Sequence, residues 1–334
     1  MNSSKPLIDE NDVRFYSGRS NPVLAKKITD YLGVPLDVAH YSKFSNDNLY
    51  IQLGASVRGR AVYLIQSLTT PVSDHLLSLL MMCDIAKSAS ASEIHAVIPY
   101  FSYARSDKKN APRISITARL IADLLKTAGA THFMTMTLHS AQVHGFFSMP
   151  ADPLTARALF TEYLRPLNFN PEETVVVSPD MGRAESAARF ASSLGLPIAS
   201  ASKTRISDTK VEIGGLIRRQ VRGFKTALVY DDEIATGGSV VGLSKMLVES
   251  GIESIRLICT HGLFLGSAYE RIASIPQIEE IITTDTVYLP AEKRPSNMTV
   301  ISVAPIIGEA IHRNYSHQSI NELFDFGDDN EEGL

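Results

Sequence analysis

The sequence predicts an α/β protein of two tandem domains, each with a mainly parallel sheet flanked by helices. Short apolar, β-rich runs alternate along the chain with segments whose apolar residues recur at helical spacing. The second half also repeats part of the first, because strand, loop, helix and strand follow one another in the same order in both. A chain of 334 residues is long enough for each domain to bury its own core.

The elements follow in an order typical of α/β proteins. Runs of apolar residues bounded by polar or turn residues predict buried strands, and the longer periodic segments between them predict helices. In chain order, these are strand Ala61–Gln66, helix Asp74–Ala89, strand Ile94–Pro99, helix Ile116–Thr127, strand Phe133–Thr137, strand Thr174–Val177, helix Ala184–Leu194, strand Thr226–Tyr230, helix Val240–Ser250 and strand Ser254–Ile258.

Two prolines mark the predicted domain boundary. Pro150 and Pro153 interrupt the pattern, so the boundary is placed at Pro150–Leu154, with a first domain at 1–153 and a second at 154–305. The polar, acidic end of the chain, 321–334, is predicted to be a disordered tail.

Composition limits the partners of the protein. With 32 basic and 36 acidic residues, the formal charge of −4 offers no excess positive charge for a nucleic-acid backbone. Cys83 and Cys259 lie in apolar runs, which indicates buried thiols in a reducing compartment. The longest strongly apolar stretch, Leu76–Ala86, is too short to span a bilayer. We therefore expect a cytoplasmic protein that binds neither nucleic acid nor membrane.

One turn carries the strongest chemical signal. Asp231 and Asp232 follow an apolar strand and precede the sequence Thr236–Ser239, and the whole segment is predicted to be a strand-to-helix turn. Gly237 and Gly238 lack side chains, so backbone N–H groups can close around a phosphate at the positive end of the next helix. The acids can accept hydrogen bonds from sugar hydroxyls or hold a hard cation. The alternative, an Asp-rich helix cap, explains one acid and one glycine better than this combination.

The corresponding turn of the first domain, Ser67–Asp74, has neither paired acids nor glycine. It cannot surround a phosphate in the same way. The sugar phosphate is therefore assigned to the second domain.

The acidic turn resembles the phosphoribosyl-diphosphate (PRPP) motif of type I phosphoribosyltransferases and of PRPP synthetases. The wider chain resembles the ribose-phosphate diphosphokinase (PRPP synthetase) family, and its motifs together are highly specific. They are Val97–Lys108, Ile116–Arg119, Met136–Ser140, Gly145–Phe147, Val177–Gly182 and Lys203–Arg205. The resemblance implies two phosphoribosyltransferase-like domains, with a C-terminal helix near 306–320 packing back on the first.

The resemblance also implies an activity. Members transfer the diphosphoryl group of ATP to the 1-hydroxyl of ribose 5-phosphate, giving PRPP and AMP for nucleotide biosynthesis. Such chemistry depends on alignment and charge neutralisation, so we expect Mg²⁺ and cationic side chains. The family assembles into dimers and commonly hexamers, which implies a homo-oligomer here.

Site residues are carried over by motif. Lys203 and Arg205 match the cations of a catalytic loop, although alone they would indicate a solvated loop with scattered charges. The implied metal-linked residues are His139, Asp180, Asp231 and Asp232. The implied ribose 5-phosphate residues are Asp180, Asp231, Asp232, Ala235, Thr236, Gly237, Gly238 and Ser239. Ala235 stands where many members carry aspartate.

The implied ATP-binding residues are Phe44, Asn46, Asn48, Arg105, Ser106, Asp107 and His139. Ser106 replaces a family glutamine, and Asn46 and Asn48 replace acidic residues of the adenine loop. Phe44 is either a base-stacking residue or an ordinary core residue, and an isolated histidine such as His139 is more often a satisfied, partly buried residue.

Ser56 and Arg58 match a segment linked to phosphate and ADP regulation, and an exposed arginine beside a turn is the equal alternative. Two other functions stay open. One is a phosphoribosyltransferase that consumes PRPP, which leaves the first-domain motifs without a purpose. The other is a catalytically silent subunit that regulates an active partner.

Overall fold

The computed structural model describes residues 6–201, 203–207, 210–213 and 215–324, with the backbone alone described at 181, 203–207, 210–213 and 215. The chain forms two compact units. Unit 1 contains the described residues up to Thr155, Thr286–Tyr288 and those from Ser302 onward, and unit 2 contains Ala156–Asp285 and Leu289–Ile301. Each has a parallel sheet flanked by helices, which confirms the predicted fold class.

Unit 1 contains a parallel sheet in the order β1-β4-β5-β6-β7 and a separate β2-β3 hairpin. Its elements are β1 (Val13–Ser17), α1 (Pro22–Leu32), β2 (Ala39–Lys43), β3 (Leu49–Leu53), β4 (Ala61–Ile65), α2 (Val72–Ser88), β5 (Glu93–Ile98), α3 (Thr117–Ala128), β6 (His132–Met136) and β7 (Ala151–Leu154). β4, β5 and β6 are almost entirely buried because the sheet is covered on both faces.

Unit 2 has a parallel sheet in the order β15-β14-β13-β12-β8-β9 and a β10-β11 hairpin. Its elements are α4 (Arg157–Leu164), β8 (Thr174–Ser178), α5 (Ala184–Leu194), β9 (Ile198–Ser200), β10 (Lys203–Ser207), β11 (Lys210–Ile213), α6 (Gly215–Gln220), β12 (Thr226–Ile234), α7 (Gly238–Glu249), β13 (Ser254–Gly262), α8 (Ala268–Ala273), β14 (Ile278–Thr284) and β15 (Met298–Ile301). β12 and β13 are central, so the predicted acidic motif lies on an inner strand.

The chain then returns to unit 1 as α9 (Ala304–Tyr315), which packs against α1. A Cβ at Gly308 would clash with the Tyr31 ring, so the close approach of the two helices favours glycine here. The Tyr31 hydroxyl donates a hydrogen bond to Glu309 Oε2 at 3.2 Å. After α9 the described chain ends with the 3₁₀ turn Asn321–Leu323 and Phe324, and the rest of the predicted tail, 325–334, lies outside the described residues.

The predicted boundary at Pro150–Leu154 coincides with strand β7. This strand forms an edge of the unit 1 sheet, and an edge position tolerates Pro153 because a missing N–H costs the ladder little there. The first segment of unit 1 accordingly runs to Thr155.

The prediction that Asp231 and Asp232 lie in the strand-to-helix turn is wrong. β12 continues through both acids to Ile234, because β13 is equally long and the parallel ladder extends to the pair Ile234 and Gly262. The acids therefore lie on a strand, and the turn comprises residues 235–237.

Candidate active site

The acidic pair and the glycine turn lie at the carboxyl end of β12. Ligands of open α/β sheets bind at this edge. Gly237 has φ 75°, a left-handed conformation that side chains disfavour, and it precedes the first turn of α7. That turn contains no acidic residue, and Thr236, Gly238 and Ser239 are exposed beside it. The start of α7 therefore favours an anion electrostatically.

The backbone of this turn is held from the neighbouring segment. Leu265 N–H donates to Ala235 O at 2.8 Å, and Arg271 Nη1 donates to Thr236 O at 3.3 Å. The half-buried Ala235 side chain contributes no polar group. The turn is thus held in place by hydrogen bonds to the carbonyl oxygens of Ala235 and Thr236.

Asp231 and Asp232 have different surroundings. Asp232 is buried and forms an ion pair with Arg183, whereas Asp231 is half-buried and its Oδ1 accepts the N–H of Asp232 at 2.8 Å. Burial and the neighbouring Asp232 carboxylate raise the pKa of Asp231 well above its usual value. A cation or a set of hydroxyl donors would stabilise the charged form of Asp231.

Asp180 lies beyond the end of β8, the strand that pairs with β12. Its Oδ1 accepts the backbone N–H of Arg183 at 3.1 Å, and its carbonyl oxygen accepts a hydrogen bond from Ser178 Oγ at 2.7 Å. The carboxylate therefore stabilises the 3₁₀ turn Met181–Arg183. The sequence analysis did not predict a role for Arg183. The local signal for it is its position three residues after Asp180, the aspartate that caps this turn.

Lys203 and Arg205 lie two positions apart on β10. This strand pairs with β11 in antiparallel register, with Lys203 opposite Ile213 and Arg205 opposite Val211. The predicted catalytic segment is therefore a β-hairpin in the backbone that the structure describes. Its catalytic role stays a prediction.

Several of the residues predicted to bind ATP lie beyond two adjacent parallel strands of unit 1. Arg105 is exposed at the end of the 3₁₀ turn Ser102–Arg105, which follows β5, and Asp107 is buried. Ser106 Oγ accepts the N–H of Thr117, so this side chain helps to start α3. His139 is half-buried beyond the end of β6.

Backbone strain marks the segment before His139. Thr137 has φ 37°, which is unfavourable for a β-branched residue. Its N–H donates to Leu154 O at 2.7 Å, so the β6–β7 pairing maintains this conformation. Strain of this kind concentrates at ligand sites, and no sequence signal indicated it.

Phe44, Asn46 and Asn48, the residues predicted to form an adenine loop, lie at the end of the β2-β3 hairpin. Phe44 is 58% exposed and contacts Tyr50 edge-on at 5.7 Å between ring centroids, so it is not a core residue. Asn46 Oδ1 accepts the N–H of Asn48 at 3.3 Å, which supports the turn. The hairpin thus presents an aromatic face to its surroundings.

The regulatory candidates Ser56 and Arg58 are both exposed. Arg58 Nη1 donates to Ser90 Oγ at 3.3 Å, and Gly59 has φ 68°. This geometry matches an exposed arginine beside a glycine turn. A regulatory role for either residue stays a prediction.

The part of the chain that the structure describes contains no group of three or more His, Cys, Asp or Glu side chains that could hold a metal ion. The half-buried carboxylate of Asp231 nevertheless suits Mg²⁺, which retains waters and uses one or two carboxylates plus substrate phosphates, whereas the Asp232 carboxylate is paired with Arg183. Over the same residues, no helix is long and apolar enough to cross a membrane.

Comparisons with known proteins agree over most of the chain. Residues 13–129 match the family described as the N-terminal domain of ribose phosphate pyrophosphokinase, and residues 215–325 match the phosphoribosyl synthetase-associated domain. A putative ribose-phosphate pyrophosphokinase of Streptomyces coelicolor is 46% identical over 94% of this chain and 98% of the relative. The ribose-phosphate pyrophosphokinase of Deinococcus radiodurans is 42% identical over 92% of this chain and 97% of its own length.

A solved structure gives the same result. The crystal structure of phosphoribosylpyrophosphate synthetase from Mycobacterium smegmatis superposes with a TM-score of 0.83 at 35% identity, covering 92% of this chain and 99% of that one. The chain belongs to the ribose-phosphate pyrophosphokinase family.

Proposed function

We propose that this protein transfers the diphosphoryl group of ATP to the 1-hydroxyl of ribose 5-phosphate, giving PRPP and AMP. The observation that carries the proposal is the combination of paired acids and a left-handed glycine turn at the carboxyl end of β12. Family membership over nearly the whole chain supplies the rest, because the relatives carry the name of this activity.

The sugar phosphate binds unit 2 in this proposal. The 5-phosphate accepts hydrogen bonds from N–H groups at the start of α7 and from the exposed hydroxyl groups of Thr236 and Ser239. The acidic pair Asp231 and Asp232 supplies a carboxylate acceptor for the ribose hydroxyls. Together these contacts orient the 1-hydroxyl as the nucleophile.

ATP binds the residues of unit 1. Arg105 offers a planar pair of donors to the phosphates, and the exposed Phe44 ring stacks on the base. Asn46 and Asn48 can both donate and accept, so their amides suit the adenine edge. Lys203 and Arg205 then neutralise charge on the migrating diphosphoryl group.

Mg²⁺ bound to the substrate phosphates would neutralise their charge during transfer. The residues proposed as Mg²⁺ ligands are His139 in unit 1 and Asp180 and Asp231 in unit 2, with Asp232 paired to Arg183 beside Asp231. Burial and the neighbouring Asp232 disfavour the charged form of Asp231. A bound cation would therefore stabilise this carboxylate.

The protein is further proposed to be a cytoplasmic homo-oligomer built from dimers. Cys83 and Cys259 are buried free thiols, which suits a reducing compartment. Gel filtration combined with light scattering would measure the assembly, and a monomeric mass would contradict this part of the proposal.

The activity is tested by coupled detection of AMP formation from ATP and ribose 5-phosphate with Mg²⁺, across several phosphate concentrations. Turnover with stoichiometric PRPP is expected, and parallel assays with GTP, CTP and ADP measure donor preference. An absence of turnover under every condition would remove the assignment. Release of diphosphate from PRPP and a base would instead favour a phosphoribosyltransferase.

A further inference from the structure

Arg183 joins two neighbouring strand ends in unit 2. It closes the 3₁₀ turn Met181–Arg183 after β8, and its Nη2 forms an ion pair with Asp232 on the adjacent strand β12. Arg183 is 8% exposed and Asp232 is 4% exposed. A charge this deeply buried persists only with a well-placed partner, so each residue depends on the other.

Arg183 also contacts Asp180, a further acid of the site. Its backbone N–H donates to Asp180 Oδ1 at 3.1 Å. One residue therefore fixes both Asp180 and Asp232, through its backbone and its side chain respectively. Burial alone would lower the pKa of Arg183, but the Asp232 carboxylate raises it, so the guanidinium stays charged.

The ion pair gives the two acids of the motif different surroundings. Asp232 gives an oxygen to Arg183 and is buried, whereas Asp231 is half-buried next to it. If neither were compensated, repulsion between the two adjacent carboxylates would favour protonation of one of them, which weakens it as an acceptor for a sugar hydroxyl. With Asp232 compensated, Asp231 is the carboxylate able to meet a ligand.

We propose that Arg183 is a positioning residue of the sugar-phosphate site. Arg183 keeps the Asp232 carboxylate paired and buried, so that Asp231 is the acid that contacts ribose 5-phosphate. This inference rests on the proposed function and refines it, since it gives the two acids unequal roles. Asp232 then acts through Arg183 and through its neighbour, without touching the sugar.

The test is a double-mutant cycle read by ribose 5-phosphate binding in calorimetry. Arg183→Met is expected to weaken binding at least about tenfold, because it leaves the buried Asp232 carboxylate uncompensated. Arg183→Met/Asp232→Asn is expected to bind more tightly than Arg183→Met, since the uncompensated charge is gone. Arg183→Lys is expected to recover most of the affinity. Asp231→Asn is expected to weaken binding by a smaller factor in the Arg183→Met background than in the wild type, because Arg183 acts through Asp231.

Two controls keep the result interpretable. Thermal unfolding of each variant identifies any that fail to fold, and Arg189→Met on α5 removes a surface ion pair with Glu185 that is outside the site. In the active enzyme, Arg183→Met is expected to raise KM for ribose 5-phosphate more than it lowers kcat.

Two outcomes would overturn the inference. One is a double variant that binds no better than Arg183→Met, which would mean that Asp232 contacts the sugar itself. The other is unchanged binding in Arg183→Met. Because binding is measured without turnover, a wild-type protein that binds ribose 5-phosphate but forms no PRPP would remove the proposed function and still decide the role of Arg183. A wild-type protein that does not bind the sugar phosphate would overturn both.

Discussion

His95 and His132 face each other across strands β5 and β6, with their Nδ1 atoms 2.9 Å apart. Both rings are buried. Their outer nitrogens contact acids: His95 Nε2 lies 3.0 Å from Glu93 Oε2, and His132 Nε2 lies 2.7 Å from Asp152 Oδ2. One Nδ1 must donate and the other must accept, so the bond is lost when both rings are doubly protonated.

This pair predicts that unit 1 loses stability on mild acidification. Burial lowers the pKa of His95, while the unfolded chain takes up the proton near the ordinary pKa of 6.5. Between these two pKa values the unfolded state binds more protons, so the free energy of unfolding falls as pH falls, by up to about 1.4 kcal/mol per pH unit. Chemical denaturation between pH 7 and pH 5 would measure the slope.

The variant His95→Gln isolates the effect. Glutamine cannot take up this proton, so the slope is expected to become shallower, even though the altered buried network lowers stability at pH 7 by about 1–3 kcal/mol. His40→Gln, at an exposed position on β2, should keep the wild-type slope. Equal slopes in His95→Gln and the wild type would contradict the prediction.

Strands and helices could be predicted because burial on both faces gives near-continuous apolar runs. The predicted strand at Ala61–Gln66 and the helix at Ala184–Leu194 agree closely with β4 and α5 for this reason. The position of Asp231 failed because strand length depends on the neighbour: β13 carries the ladder past the acids, and charge alone does not end a strand.

The features that the sequence did not predict, at the site and in the core of unit 1, are contacts between residues that are distant in sequence. Arg183 meets Asp232, and His95 meets His132, only because parallel strands place them side by side. No local pattern encodes such a pairing. The strained φ of Thr137 is equally invisible in sequence, since threonine normally avoids it.

Phe44 offers a test of the adenine loop. Because the ring is 58% exposed, Phe44→Ala is expected to change the free energy of unfolding by about 1 kcal/mol or less. If the ring stacks on the base, KM for ATP should rise roughly 5-fold to 100-fold, with little change in KM for ribose 5-phosphate. Val38→Ala, at a 61% exposed position just before β2, serves as the control and should leave both KM values unchanged. An unaltered KM for ATP in Phe44→Ala would exclude stacking.

Gly237 and Gly238 form a matched pair for the phosphate turn. Gly237 has φ 75°, so Gly237→Ala is expected to lose about 1–2 kcal/mol of stability, although the new Cβ meets only ordinary contacts. A Cβ at Gly238, at the start of α7, would meet only Thr236 Oγ1 at 4.0 Å, so Gly238→Ala is expected to keep or gain up to about 1 kcal/mol. Urea denaturation measures both.

Ligand binding should separate from stability in the second glycine variant. The methyl group of Gly238→Ala would occupy space next to the N–H groups proposed to bind the 5-phosphate, so KM for ribose 5-phosphate should rise although the fold is no weaker. Equal effects of the two substitutions on both stability and KM would refute this account of the turn.

Lys203 and Arg205 are expected to act on the transition state. Lys203→Met and Arg205→Met should each lower kcat by about 10²–10³, since each removes a cation proposed to neutralise developing charge, and KM for ribose 5-phosphate should change little. Arg205→Lys should recover only part of the loss, because a compact ammonium cannot replace the planar pair of donors of a guanidinium. Lys210→Met, on the partner strand of the same hairpin, is the matched control and should keep kcat within about twofold of the wild type. Steady-state rates at saturating ATP and ribose 5-phosphate measure all four. If Lys210→Met lost as much activity as Lys203→Met, the effect would reflect general charge or folding of the hairpin, and the catalytic assignment of Lys203 and Arg205 would fail.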